Sequence, residues 1–197
     1  MSNREVVIAS AVRTPIGAFQ GALADVPAAR LGAAAVAEAV KRANLKADEI
    51  DEVILGCVLP AGQGQAPARQ ASLYAGLPQK TPTTTINKVC GSGMKAVMMA
   101  AQAIAAGDGE IIVAGGMESM SNAPYYLLKA RAGYRLGHGQ LVDSVVKDGL
   151  WDVYNDFHMG NCAELCAKDL NIGRSQQDEF ARMSYEPGTR RFDVTFE

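Results

Sequence analysis

The sequence predicts an α/β protein, a layered and mostly parallel sheet, on three observations. Short apolar or β-branched runs alternate with helical periodicity in a β-α-β-α-β-α-β order along the first part of the chain. An apolar share of 48% with 20% charged residues suits one buried core. Twenty glycines in 197 residues exceed the usual share and mark tight turns or close backbone approaches.

Val6 to Val12 is a continuous apolar run that reads as a strand covered on both faces. Ala28 to Asn44 follows as a helix, with Ala29, Ala33, Val36, Val40 and Ala43 on one stripe and Asp25 and Pro27 as start signals. Val53 to Leu59 is a second buried strand leading into a loop, and Gln65 to Ala75 a short helix. Thr83 to Val89 is a third strand. After Gly91-Ser92-Gly93 a periodic helix runs to Ala106, with Met94, Val97, Met98, Ala101, Ile104 and Ala105 expected on its buried face. Ile111 to Ala114 closes the series as a fourth strand. From Met117 to about Asp156 the chain reads as irregular and glycine-rich, and loops of that length usually carry function. Helices are expected at 159–171 and 175–185, with Glu186-Pro187-Gly188 stopping the last.

Nineteen basic against twenty-one acidic side chains leave a formal charge of −2, with no excess positive charge to neutralise a phosphate backbone or an anionic lipid surface. No apolar run approaches the roughly 20 residues of a membrane helix, and the start has no signal pattern, so the expectation is a cytoplasmic protein without nucleic acid or membrane partners. Cys57, Cys90, Cys162 and Cys166 are too scattered for a disulfide scaffold and matter as thiols.

Cys90 stands where a strand meets a helix, in NKVCGSGMK. A helix N-terminus offers unpaired N–H groups and partial positive charge, which favour a nucleophilic thiolate, and flanking glycines admit a substrate carbonyl. The alternative is a small packing residue. The segment NKVCGSGMKAV resembles the thiolase family, as do VRTPIG at 12–17, GQGQAPARQA at 62–71, VAGGMESMSNAPY at 113–125 and FHMG at 157–160. The resemblance runs from about Val6 to Tyr185, fails from Glu186 onward, and corresponds to the N-terminal half of a thiolase subunit.

The resemblance implies a thiolase-like layered fold, with an N-terminal α/β domain at 1–120, the start of a CoA-covering loop domain at 121–186 and a divergent tail at 187–197. It makes Cys90 the acyl acceptor, with its backbone N–H facing the developing oxyanion. It places His158 and Met159 around the acyl end of the substrate and Leu150 along the pantetheine arm. The implied substrates and products are acetyl-CoA, acetoacetyl-CoA and CoA, with no cofactor and no metal, and a homo-oligomer in the complete protein. The remaining catalytic groups of the family lie in its C-terminal half. One helix layer is therefore expected to be left uncovered, with a tendency to associate. Lys129, Arg131, Arg135 and Lys147 fall where the family caps CoA, and Leu165 replaces the family's usual Asn.

Other patterns compete. Gly62-Gln-Gly64 imitates a dinucleotide fingerprint, but Pro67 occupies the place of the third glycine. His158, Cys162 and Cys166 share a helix face, yet at 1.5 Å per residue the outer two lie about 12 Å apart, too far for one tetrahedral ion. Asp152 and Asp156 read as a solvated face. A fragment that binds CoA or protein without turnover stands as the second reading of the whole chain.

Overall fold

Glu52–Gly56 (β1) is the middle strand of a three-stranded parallel sheet, flanked by Thr83–Ile86 (β2) and Ile112–Gly116 (β3). Its register aligns Val53 with Thr83 on one side and with Val113 on the other. The computed structural model describes residues 4–185, so the expected tail lies outside the described residues. Strand alternation sends Val53 and Leu55 to one face, where they pack with Val36 and Val40 of Ala28–Arg42 (α1) and Ala68 and Ala71 of Pro67–Tyr74 (α2). Ile54 points to the other face, against Ala96 and Ala100 of Ser92–Ala106 (α3). The result is the layered α/β arrangement the sequence predicts. The Arg30 guanidinium lies 3.7 Å from the Tyr74 ring centre and clips α1 to α2.

Three expectations are corrected. Val6 to Val12 forms no strand and joins no ladder, and Val7 and Ile8 are largely exposed. A strand is held by its neighbours' hydrogen bonds and by cover on its faces, and this segment is instead fastened by the Ser10 hydroxyl donating to the Ala39 carbonyl on α1. The buried face of α3 is also turned. Ser92, Ala96 and Ala100 face the sheet, whereas Met94, Val97 and Met98 are exposed. The reason is the closeness of the contact. A Cβ on Gly56 would stand 2.5 Å from the Ser92 Cβ and 2.7 Å from its carbonyl carbon, so only small side chains fit between helix and sheet. The stretch Val89–Ala106 is, by length and composition, long and apolar enough to cross a membrane, contrary to the sequence expectation that no such run exists. Here it docks on the sheet through its small residues.

Because the atoms that a Gly56 side chain would meet are backbone and Cβ, no rotamer can relieve the clash. Gly56→Ala is expected to cost about 3 kcal/mol, the upper end of the usual overpacking range. Thermal melting should show a Tm lower by roughly 6–12 °C.

Residues 117–156 are less irregular than expected. Tyr125–Leu127 (β4) pairs antiparallel with Leu141–Asp143 (β5), and Trp151–Asp152 (β6) with Phe157–His158 (β7). A wide helical turn at Val145–Leu150 joins the two hairpins. Met159–Asp169 (α4) and Arg174–Tyr185 (α5) complete the described chain.

At the opposite end of the sheet, Asp51 accepts the backbone N–H groups of Glu110 (2.7 Å) and Ile111 (3.0 Å). Those hydrogen bonds hold its carboxyl below the usual carboxylate value. A depressed folded value means stability present above the unfolded value and lost as pH falls through the folded one. Asp51→Asn should therefore be less stable than the parent at neutral pH, and denaturant midpoints should converge as pH drops below about 4.

Candidate functional site

The carboxyl ends of β1, β2 and β3 lie side by side, the edge at which open parallel sheets present their ligand-binding loops. Three connections leave it. Cys57 to Leu59 follow β1, Asn87 to Cys90 follow β2, and Met117 and Glu118 follow β3.

Cys90 is exposed and sits two residues before the first residue of α3. The turn that presents it is tightly held. The Ser92 hydroxyl accepts the Lys88 N–H (2.9 Å) and donates to the Val89 carbonyl (2.6 Å), while the Asn87 Oδ1 accepts the Val89 N–H (2.8 Å). Val89 has φ +47°, a left-handed conformation that a β-branched side chain disfavours. Such strain persists only where neighbours over-determine it, and it gathers at functional turns. The head of α3 lies against Gly115 and Gly116 at Gly93, where a Cβ would make ordinary contact with the Gly116 nitrogen at 3.6 Å.

The β1 connection is fixed from β3. The Glu118 carboxylate accepts the Val58 N–H (2.8 Å) and the Leu59 N–H (3.1 Å), and lies 3.5 Å from the Cys57 sulfur. Gln63 Nε2 donates to the Leu59 carbonyl at 2.7 Å. Burial, reinforced by the Glu118 charge, pushes the Cys57 thiol up to about 11. Cys57 is therefore a packing thiol. Sequence reasoning missed Glu118 and Asn87. The signal for Glu118 was a lone carboxylate directly after an uncharged buried-type strand.

Leu150, His158 and Met159 form a second group. Leu150 ends the wide turn, and Trp151 beside it pairs with His158 across β6 and β7, directly before Met159 opens α4. His158 Nδ1 accepts the Gly160 N–H at 2.9 Å and caps α4, which leaves the neutral ring's proton on Nε2. Leu150 and His158 are half-buried and Met159 is exposed. Among the described residues no hydrogen bond joins this group to Cys90. Gly149, beside Leu150, comes close to the β1 connection: a Cβ built there would lie 3.6 Å from the Leu59 side chain. Also among the described residues, no three His, Cys, Asp or Glu side chains converge as a metal site.

Residues 6–193 match the family model described as thiolase, N-terminal domain, a span that continues past Glu186, where the motif resemblance was expected to stop. Acetyl-CoA acetyltransferase 2 of Arabidopsis thaliana is 57% identical over 94% of this chain and 46% of its own length. The mitochondrial acetyl-CoA acetyltransferase B of Xenopus laevis is 59% identical over 96% and 44%, and the acetyl-CoA acetyltransferase of Cupriavidus necator 58% over 90% and 45%. The chain thus spans about half the length of the curated relatives it matches. The cytoplasmic expectation is corrected by the same comparison, since mitochondrial and bacterial proteins stand together among those relatives. A cysteine displayed at the head of a helix over parallel strand ends, within a family match that covers nearly the whole chain, makes this chain a member of the thiolase family.

Proposed function

We propose that this chain supplies the acyl-accepting part of a thiolase acting on acetyl-CoA. The Cys90 sulfur attacks the thioester carbonyl, a new carbon–sulfur bond forms, the bond to the CoA sulfur breaks, and CoA leaves as a thiolate that takes up a proton. The observation that carries this reading is the exposed, strained display of Cys90 at the ligand-binding edge of the sheet. In the complete reaction the acetyl group passes to a second acetyl-CoA, giving acetoacetyl-CoA, or the reverse. Cys90 N–H is one oxyanion donor, and Leu150, His158 and Met159 line the substrate from the loop domain that begins at 121. CoA thioesters are substrates here, and the chemistry calls for no cofactor.

Incubation with acetyl-CoA should add one acetyl group, mapped to the Cys90 peptide and released by hydroxylamine, with one CoA set free. Cys90→Ala should take none. Equal acetylation of Cys90→Ala would sink the reading and favour a chain that binds CoA without reacting. The exposed Met94, Val97 and Met98 on α3 support association of this unit with further polypeptide, including a second copy.

A further inference from the structure

We infer that Glu118 is a positioning residue for the Cys90 turn, acting through Asn87; the inference rests on Cys90 being the acyl acceptor. Four links connect them. The Glu118 carboxylate takes the Val58 and Leu59 N–H groups and fixes the peptide at the end of β1. The Val58 carbonyl, on that same fixed segment, accepts Asn87 Nδ2 at 3.4 Å. The other end of the Asn87 amide accepts the Val89 N–H at 2.8 Å. Val89 is the left-handed residue that turns the chain into Cys90.

Each link has a reason to be where it is. A left-handed valine relaxes toward an extended conformation unless something holds its N–H, and Asn87 Oδ1 is the acceptor that does so. An exposed Asn side chain turns freely unless its own amide end is held, and the Val58 carbonyl is the partner on that side. The Val58 peptide, in turn, follows a strand end in a loop, and the carboxylate from β3 is what pins it. A carboxylate accepting two N–H groups from consecutive residues is stronger and more directional than a neutral acceptor would be. The relay thus ties the nucleophile's backbone on β2 to β1 and β3, so that all three strand ends set the position of one sulfur.

Acetyl transfer from acetyl-CoA requires that sulfur in a defined place, whereas alkylation by iodoacetamide requires only that it be accessible. Asn87→Ala, at an exposed position that leaves the core intact, should slow Cys90 acetylation about three- to tenfold, the rate equivalent of one neutral hydrogen bond, with alkylation of Cys90 unchanged. Glu118→Gln, which turns an N–H donor against one of the two peptide N–H groups, should do the same. The double variant should be no slower than Asn87→Ala alone, because the two act in series. Asn87→Asp keeps an acceptor for Val89 and loses the donor to Val58, which cuts the relay at the link Glu118 supports; it should stay about as slow as Glu118→Gln and be indifferent to adding that substitution. Exchange of the Val89 amide proton, followed by NMR, should quicken in Asn87→Ala and Glu118→Gln alike. Additive losses, parallel losses in alkylation, or unchanged Val89 exchange in Glu118→Gln would overturn the relay. A parent chain that takes no acetyl group while Val89 exchange responds as described would instead overturn the acyl-acceptor reading and leave the relay's geometry standing.

Discussion

Iodoacetamide supplied below one equivalent at neutral pH is expected to place most of its label on Cys90. Cys57 is excluded twice, by burial and by its thiol value of about 11, against an ordinary 9.0. That difference alone cuts its thiolate population about hundredfold. Cys162 is half-buried, with the Asp152 carboxylate 4.0 Å from its sulfur. Cys166 is exposed and is the real competitor, but it lies in the last turn of α4, where the free backbone groups are carbonyls that oppose negative charge gathering in the transition state. At the head of α3 the free groups are N–H donors. Peptide mapping after a short exposure should rank Cys90 first and Cys57 last. Labelling shared equally between Cys90 and Cys166 would show that exposure alone decides.

The larger effect concerns turnover. The 197-residue polypeptide is expected to be acetylated once and to go no further. Carbon–carbon bond formation needs a base for the α-proton of the second acetyl-CoA and donors for its enolate oxygen. The chain has two histidines, His138 and His158, and the Nδ1 of His158 is engaged by Gly160. Cys57 is held as a thiol and cannot serve as the base. Loss of a general base costs roughly 10²–10⁴ in rate and loss of an oxyanion donor roughly 10²–10³. Together they should push turnover to about 10⁴-fold or more below a complete enzyme, even though such losses do not simply multiply. The measurement is acetyl-CoA formation from acetoacetyl-CoA and CoA, beside intact mass. Steady production that disappears in Cys90→Ala would show that the missing groups are present after all.

The alternation of elements was legible because β1, β2 and β3 are short and β-branched or apolar, and because α1 carries a clean stripe of Ala29, Ala33, Val36 and Val40 that the structure buries. The phase of α3 was not legible. That helix is apolar nearly all round, so periodicity cannot choose a face, and the choice falls to the glycine and alanine pairs that permit close approach. Size pointed to Met94 and Met98, whereas proximity selected Ala96 and Ala100. Val6 to Val12 has the composition of a buried strand, but composition does not supply a partner. The exposed place of Cys90 just before α3 could be read from its helix-start and glycine context. Glu118 showed only as a lone carboxylate after a strand, and neither it nor Asn87 disclosed its partners on the β1 connection, because Val58 and Leu59 lie dozens of positions away in the chain.

The placement of β1 at the centre of the sheet also governs the order in which the fold can assemble. Val53 waits for Thr83, thirty positions later, and then for Val113, sixty positions later, so the most buried strand is synthesised before either neighbour. On a ribosome that adds roughly 5–20 residues per second, Val53, Ile54 and Leu55 remain unpaired for seconds. Pairings of such long sequence separation are slow to close and leave the strand open to wrong partners meanwhile. The nascent chain should therefore engage holding chaperones most strongly between emergence of β1 and emergence of β3, and a ribosome-stalled series cut on either side of β3 would display the release.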